Sequence, residues 1–275
     1  MEFIVNADDL GISPGINKAI SDLIAIKALT HASWLVNTIY FNEVYNVIIK
    51  NNLNFNFGLH FNLTYSDSIC VYEKIPLLVD ETHRFKNNFF DLLILNHFRK
   101  NEFYKQVKLE LGAQLQKALD CTKKLSHIDG HWHIQMIPAI YEAIKELAEK
   151  YKIKRIRIIN ENIRLTSQII GRNLLFKSKI LNKYLIMKYF QKLNRINDHY
   201  YLFSYLLSSE LKPDYFKNID AFKNFEIVEI MVHPGNTAID KEIDLKNYIV
   251  NKYIKSEFRD LEFEFCKHLK SVLWQ

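Results

Sequence analysis

Carboxylates and imidazoles gather at four points of the 275-residue chain: Asn6-Ala7-Asp8-Asp9, Gly58-Leu59-His60, His127-Ile128-Asp129-Gly130-His131-Trp132-His133 and His233-Pro234-Gly235. Together these groups can hold a divalent metal or move protons as general acids and bases. Asp9 precedes His60 by 51 residues and His60 precedes His131 by 71, spacings that suit ligands supplied by separate strands rather than by a local finger. His127, Asp129, His131 and His133 stand two apart, so an extended backbone aims all four at one side and turns Ile128 and Trp132 to the other. Four ionisable groups on one face of a core strand are costly without a metal or dense hydrogen bonding. Taken singly, each feature has an ordinary structural explanation. Adjacent acids cap helices, a lone His satisfies a core, and His-Pro-Gly ends a strand in a turn. Here Ser13-Pro14 supplies a cap of its own, which releases Asp8 and Asp9 for other work.

The elements that must position these groups alternate. Phe3-Ile4-Val5 reads as a strand, and Ser13-Pro14-Gly15 opens a helix continued by Ile16, Ala19, Ile20, Leu23 and Ile26. Ala32–Val36 is a second strand, Val44–Ile49 a second helix and Phe55–Leu59 a third strand. Ser126–Ile128 is a short strand before a helix from near Pro138 to about Tyr151; Lys154–Ile159 and Ile227–Val232 are further strands. Strands alternating with helices predict parallel β-α units in an open sheet or a barrel, whose strand C-termini converge on one face. Along Lys154–Ile159, alternation puts Arg155 and Arg157 together, where one can orient a carboxylate; Arg157 is the catalytic candidate. Stretches 65–125 and 163–215 interrupt the pattern with helical character. They are expected to be insertions in a single domain covering 1–275, and neither carries a motif with an evident chemistry.

Composition narrows the class. Hydrophobic residues at 48% and charged residues at 25% describe a globular chain. Three widely spaced Cys, without a C-x-x-C, exclude a disulfide framework and a Cys-ligated zinc site. The net charge of +6 is carried by scattered basic residues, so a nucleic-acid partner is not expected. No apolar run approaches the ~20 residues of a membrane span, so no membrane partner is expected. Met1–Val5 runs directly into Asp8-Asp9 with no signal-peptide core, and a cytoplasmic protein, possible as a homo-oligomer, is expected.

Four ordered motifs resemble those of the YdjC/ChbG-like carbohydrate deacetylases. Asn6–Gly11 with Ser13-Pro14-Gly15 resembles the family's NADDFG opening, and Gly58–Thr64 its GLHLNLT segment. His127–His133 with Pro138 resembles HxDSHxHxH…P, and His233-Pro234-Gly235 the late HPG. The final His of the third motif is Gln135 here, and an Arg-x-x-Arg-Glu-like segment is reduced to Arg157–Glu161.

The resemblance implies an irregular (β/α) barrel, TIM-like or NodB-like, and metal-dependent removal of acetyl groups from N-acetylated sugars. It makes Asp9, His60 and His131 the ligands of one divalent cation, zinc or magnesium, with Asp8 the general base and His233 the acid. His133 and Asp129 are expected to meet substrate. Alternatives from the residues are a phosphoesterase on the same barrel, an iron oxygenase with a two-His-one-carboxylate site, and a non-catalytic sugar-binding module.

Overall fold

Strands buried on both faces read as unbroken apolar runs, and such strands pair in parallel beneath helices. The computed structural model describes residues 1–122, 124–194, 199–207, 210–245 and 247–273. Its strands are β1 (Glu2–Leu10), β2 (His31–Trp34), β3 (Asn56–Phe61), β4 (Ile128–Gly130), β5 (Tyr200–Phe203) and β6 (Ile227–Val232), in the hydrogen-bonded order β4-β3-β2-β1-β6-β5. The pairs β1–β6, β3–β4 and β5–β6 are parallel. The α-helices are α1 (Pro14–Ala25), α2 (Phe41–Glu43), α3 (Phe89–Phe98), α4 (Lys100–Cys121), α5 (Pro138–Lys150), α6 (Ile163–Ile170), α7 (Ser178–Asn194), α8 (Thr237–Asp240), α9 (Tyr248–Ile254) and α10 (Phe258–Leu273). The fold is α/β on parallel strands. Six strands form among the described residues. Two compact units divide the chain, with divisions after Asp8 inside β1, after Ile12, after Ala32 inside β2 and after Arg157.

The first unit comprises Met1–Asp8, Ser13–Ala32 and Ile158–Gln275. Its register runs from Glu2↔Ile227 to Ala7↔Val232, with β5 on the far side of β6. Ser13 caps α1 as expected: its Oγ accepts from Ile16 N at 3.3 Å and donates to Asp240 Oδ2 at 2.6 Å. Ile16, Ala19, Ile20 and Leu23 are buried along one stripe of that helix. The stretch 163–215, expected to be helical, also contains β5. Tyr200–Phe203 is an apolar run of four, too short for its period to declare a strand. Just before α6, Glu161 is fully buried; Leu206 N donates to it at 2.7 Å and Thr166 Oγ1 at 3.0 Å. Burial pushes its carboxyl from 4.5 up to about 7.

The second unit comprises Asp9–Ile12 and Ser33–Arg157. Register pairs Leu59↔Ile128 and His60↔Asp129. α4 and α5 pack together, with Val107, Leu111 and Leu115 on one and Ile140, Ile144 and Leu147 on the other buried at helical spacing. Three buried polar residues four apart on α4 hold the backbone of the segment after β3. Gln114 accepts from Asn62 N at 3.1 Å and donates to Asn62 O at 2.7 Å. Glu110 accepts from Ile69 N and Cys70 N, and Gln106 from Leu77 N. This is what the stretch 65–125 does. It is a loop pinned to a helix by side chains, because a loop without a ladder must satisfy its buried amides some other way.

Two expected elements differ. Lys154–Ile159 forms no strand; among the described residues its pairing is one parallel bridge, Ile128↔Ile156. The extended reading of 127–133 fails after Gly130, where the backbone enters a 3₁₀ turn with Trp132 and His133 at φ 55° and 57°. The four groups therefore do not share a strand face. Local polar chemistry overrides the two-residue period here.

A buried acid whose native pKa is raised binds its proton in the folded state at pH values where the unfolded chain has released it. Stability therefore falls as pH rises from 4.5 to about 7 and is flat above. Glu161→Gln removes this dependence. The free energy of unfolding of the wild type, measured in urea against that of the variant, is expected to fall by roughly 2–4 kcal/mol between pH 4.5 and 8.

Candidate active site

Asp129, fully buried on β4, organises the second unit's polar centre. Its Oδ1 accepts from His60 Nδ1 at 2.7 Å. Its Oδ2 accepts from Ser33 Oγ at 2.6 Å and lies 2.8 Å from Arg157 Nη1. Arg157 is thus the arginine that orients a carboxylate, and the carboxylate is Asp129. Because His60 Nδ1–H donates to the Asp129 carboxylate, Nε2 is that ring's lone-pair nitrogen. Nε2 stands 3.6 Å from Asp9 Oδ1. Two donors each ~2.1 Å from a tetrahedral ion are about 3.4 Å apart, so this pair has the spacing of two ligands to one cation. Asp9 holds a left-handed backbone at φ 70°, a region that Asp tolerates better than most side chains.

His131 is oriented by the same logic. Thr64 Oγ1 donates to Asn62 Oδ1 at 3.2 Å and so accepts from His131 Nδ1 at 3.0 Å, making Nε2 the lone-pair nitrogen. The His60 and His131 rings lie 5.8 Å apart, edge to face. His127, also fully buried, is held between Ser33 Oγ at 2.9 Å and Ser126 Oγ at 2.8 Å. It lies over Gly58, where a Cβ would stand 2.3 Å from the ring, so no other residue fits there. His133 is half-buried in the left-handed turn.

In the first unit, Asn6 Nδ2 donates to Asp8 Oδ1 at 2.7 Å, and Asp8 Oδ2 lies 4.0 Å from His233 Nε2. Behind His233 stands Glu262 of α10, whose Oε2 accepts from the His233 amide at 2.5 Å and lies 3.5 Å from its Nδ1. Arg259, one turn before, donates to His233 O at 3.4 Å. Gly235 lets the turn approach that helix, since a Cβ there would meet Arg259 Cβ at 3.0 Å.

The sequence reading missed Ser33, Thr64, Arg259 and Glu262. Thr64 was legible in principle, as a hydroxyl four residues after His60. Glu262 was not, because α10 reads as an ordinary amphipathic helix.

The family profile described as "YdjC-like protein" matches residues 2–270. The chain belongs to the YdjC-like family. Among curated relatives of this YdjC-like chain are carbohydrate deacetylases of Thermoanaerobacter pseudethanolicus, 31% identical over 54% of this chain and 57% of that one, and of Listeria monocytogenes, 33% identical over 56% and 59%. The matched stretches span less than two-thirds of those relatives' lengths. An Enterococcus faecalis protein provisionally described as a cellobiose-phosphate cleavage protein shares the fold, with a TM-score of 0.67, 20% identity and coverage of 98% of this chain and 93% of that one.

Two substitutions probe this arrangement. Asp129→Ala removes the carboxylate that faces the buried Arg157 guanidinium, and is expected to cost about 3–5 kcal/mol of stability in urea titration, part of it recovered in Asp129→Ala/Arg157→Met. Thr64→Val keeps the shape but removes the acceptor of the His131 proton, and divalent-metal affinity by calorimetry is expected to fall about 10- to 100-fold with little change in stability.

Proposed function

We propose that this protein is a metal-dependent hydrolase that removes the acetyl group from an N-acetylated sugar. The observation that carries the reading is the orientation of His60: Nδ1 tied to a buried carboxylate and Nε2 turned toward Asp9. That is how a metal-ligating imidazole is prepared. Family membership and the deacetylase relatives supply the substrate class.

In this reading Asp9, His60 and His131 hold one divalent cation, with zinc favoured over magnesium by the two imidazoles. An amide resists hydrolysis because water is a weak nucleophile and an amine anion a poor leaving group. A bound cation supplies a water of lowered pKa and offsets charge growing on the amide oxygen. Asp8, held by Asn6, would serve as the general base. His233 gives a proton to the departing nitrogen, each transfer being worth ~10²–10⁴-fold. Glu262 keeps the His233 ring in place.

Two residues take roles other than those first expected. Asp129 and Arg157 have no exposed surface, and each is engaged with the other. We assign them to positioning, Asp129 acting through His60 and Arg157 through Asp129, rather than to contact with substrate. His133 remains the substrate-binding candidate.

The experiment is acetate release from a panel of N-acetylated sugars, with and without chelator, alongside phosphate release from sugar phosphates. Chelator-sensitive acetate release is expected. Asp8→Asn should retain metal and lose about 10²–10⁴-fold in kcat, whereas His60→Ala should lose the metal itself. Normal turnover by Asp8→Asn would overturn the base assignment.

A further inference from the structure

Residues 162–197 contain eight Lys and Arg and no Asp or Glu, whereas the whole chain is only +6. The remainder of the chain is therefore net acidic, and its positive charge is concentrated in one segment. Most of that segment is the turn around Phe176 and helix α7. A helix packed on one side ordinarily shows a polar face to water. α7 does not. Ile180, Met187 and Phe190 face inward, while Leu185, Ile186, Tyr189 and Leu193 form an exposed stripe on the other side. Phe176, at the head of the helix, is 88% exposed. Exposed Lys177, Lys179 and Lys192 flank the stripe.

From this pattern we infer that the Phe176 turn and the outer face of α7 dock on an anionic phospholipid bilayer. Aliphatic and aromatic side chains seat at the boundary between headgroups and acyl chains, and lysines reach back to the phosphates on their long stems. Two other occupants fit less well. A nucleic acid would meet the charge but leave the apolar stripe in water. A second copy would set two like-charged segments against each other across a two-fold axis. Among the described residues no helix is long and apolar enough to cross a membrane, so the contact lies on the surface. The expectation of no membrane partner rested on the absence of a span and does not reach this case.

The test is co-sedimentation of the full chain with phosphatidylcholine vesicles, with and without about a third phosphatidylglycerol. Binding to the anionic vesicles alone is expected, weakening as salt rises. Each basic residue near such a surface contributes about fivefold, so Lys177→Glu/Lys179→Glu/Lys192→Glu should lower the partition coefficient by well over tenfold. Leu185→Ser/Tyr189→Ser, with charge unchanged and folding checked by circular dichroism, should lower it as well. The inference is overturned if the wild type stays in the supernatant or if the charge-reversed variant sediments equally. It is also overturned if light scattering shows a dimer that Leu185→Ser/Tyr189→Ser dissolves without vesicle binding, or if duplex DNA is bound in place of vesicles.

Discussion

The carboxylate of Asp129 is the constraint on which the second unit's polar centre rests. A bare charge at zero exposure is expensive, and here it is met by one guanidinium, one hydroxyl and one imidazole N–H. Each partner is fixed in return. Arg157 is held although its segment makes only a single bridge, Ser33 is oriented toward His127, and His60 is confined to one tautomer and one ring plane. The register His60↔Asp129 is what makes this possible, because parallel neighbours side by side bring the two groups together without a long reach.

A second acid, Glu262, performs a related service in the first unit from a helix rather than a strand. It accepts from the backbone amide of His233 and lies near the same residue's ring, so one carboxylate controls both where the residue sits and how its side chain turns. In both units carboxylates and imidazoles gather at or just past the C-terminal ends of parallel strands.

Much of this was legible in residue order. β6 was read to the residue, and α1 and α5 within a few, because their apolar spacing is strong and each opens on a proline. The four polar motifs announced a site because they follow strands. What the sequence hid has physical causes. A two-residue alternation promised a flat array from His127 to His133, but left-handed backbone at Trp132 and His133 broke it, and no residue in that run other than Gly130 hints at a turn. β5 was lost because four apolar residues carry no period. Ser33 and Glu262 gained their roles only by tertiary proximity, which neither spacing nor composition encodes.

The ladder of Gln106, Glu110 and Gln114 holds the chain through main-chain amides of residues 62, 69, 70 and 77. The path of that segment is therefore set by the helix. Proline is barred from those four positions, since it has no amide hydrogen to give, but most other replacements leave the route intact. Beyond Thr64, whose hydroxyl steadies the His131 ring, a stretch so anchored can drift in composition while the supports of His60 and His131 stay where they are.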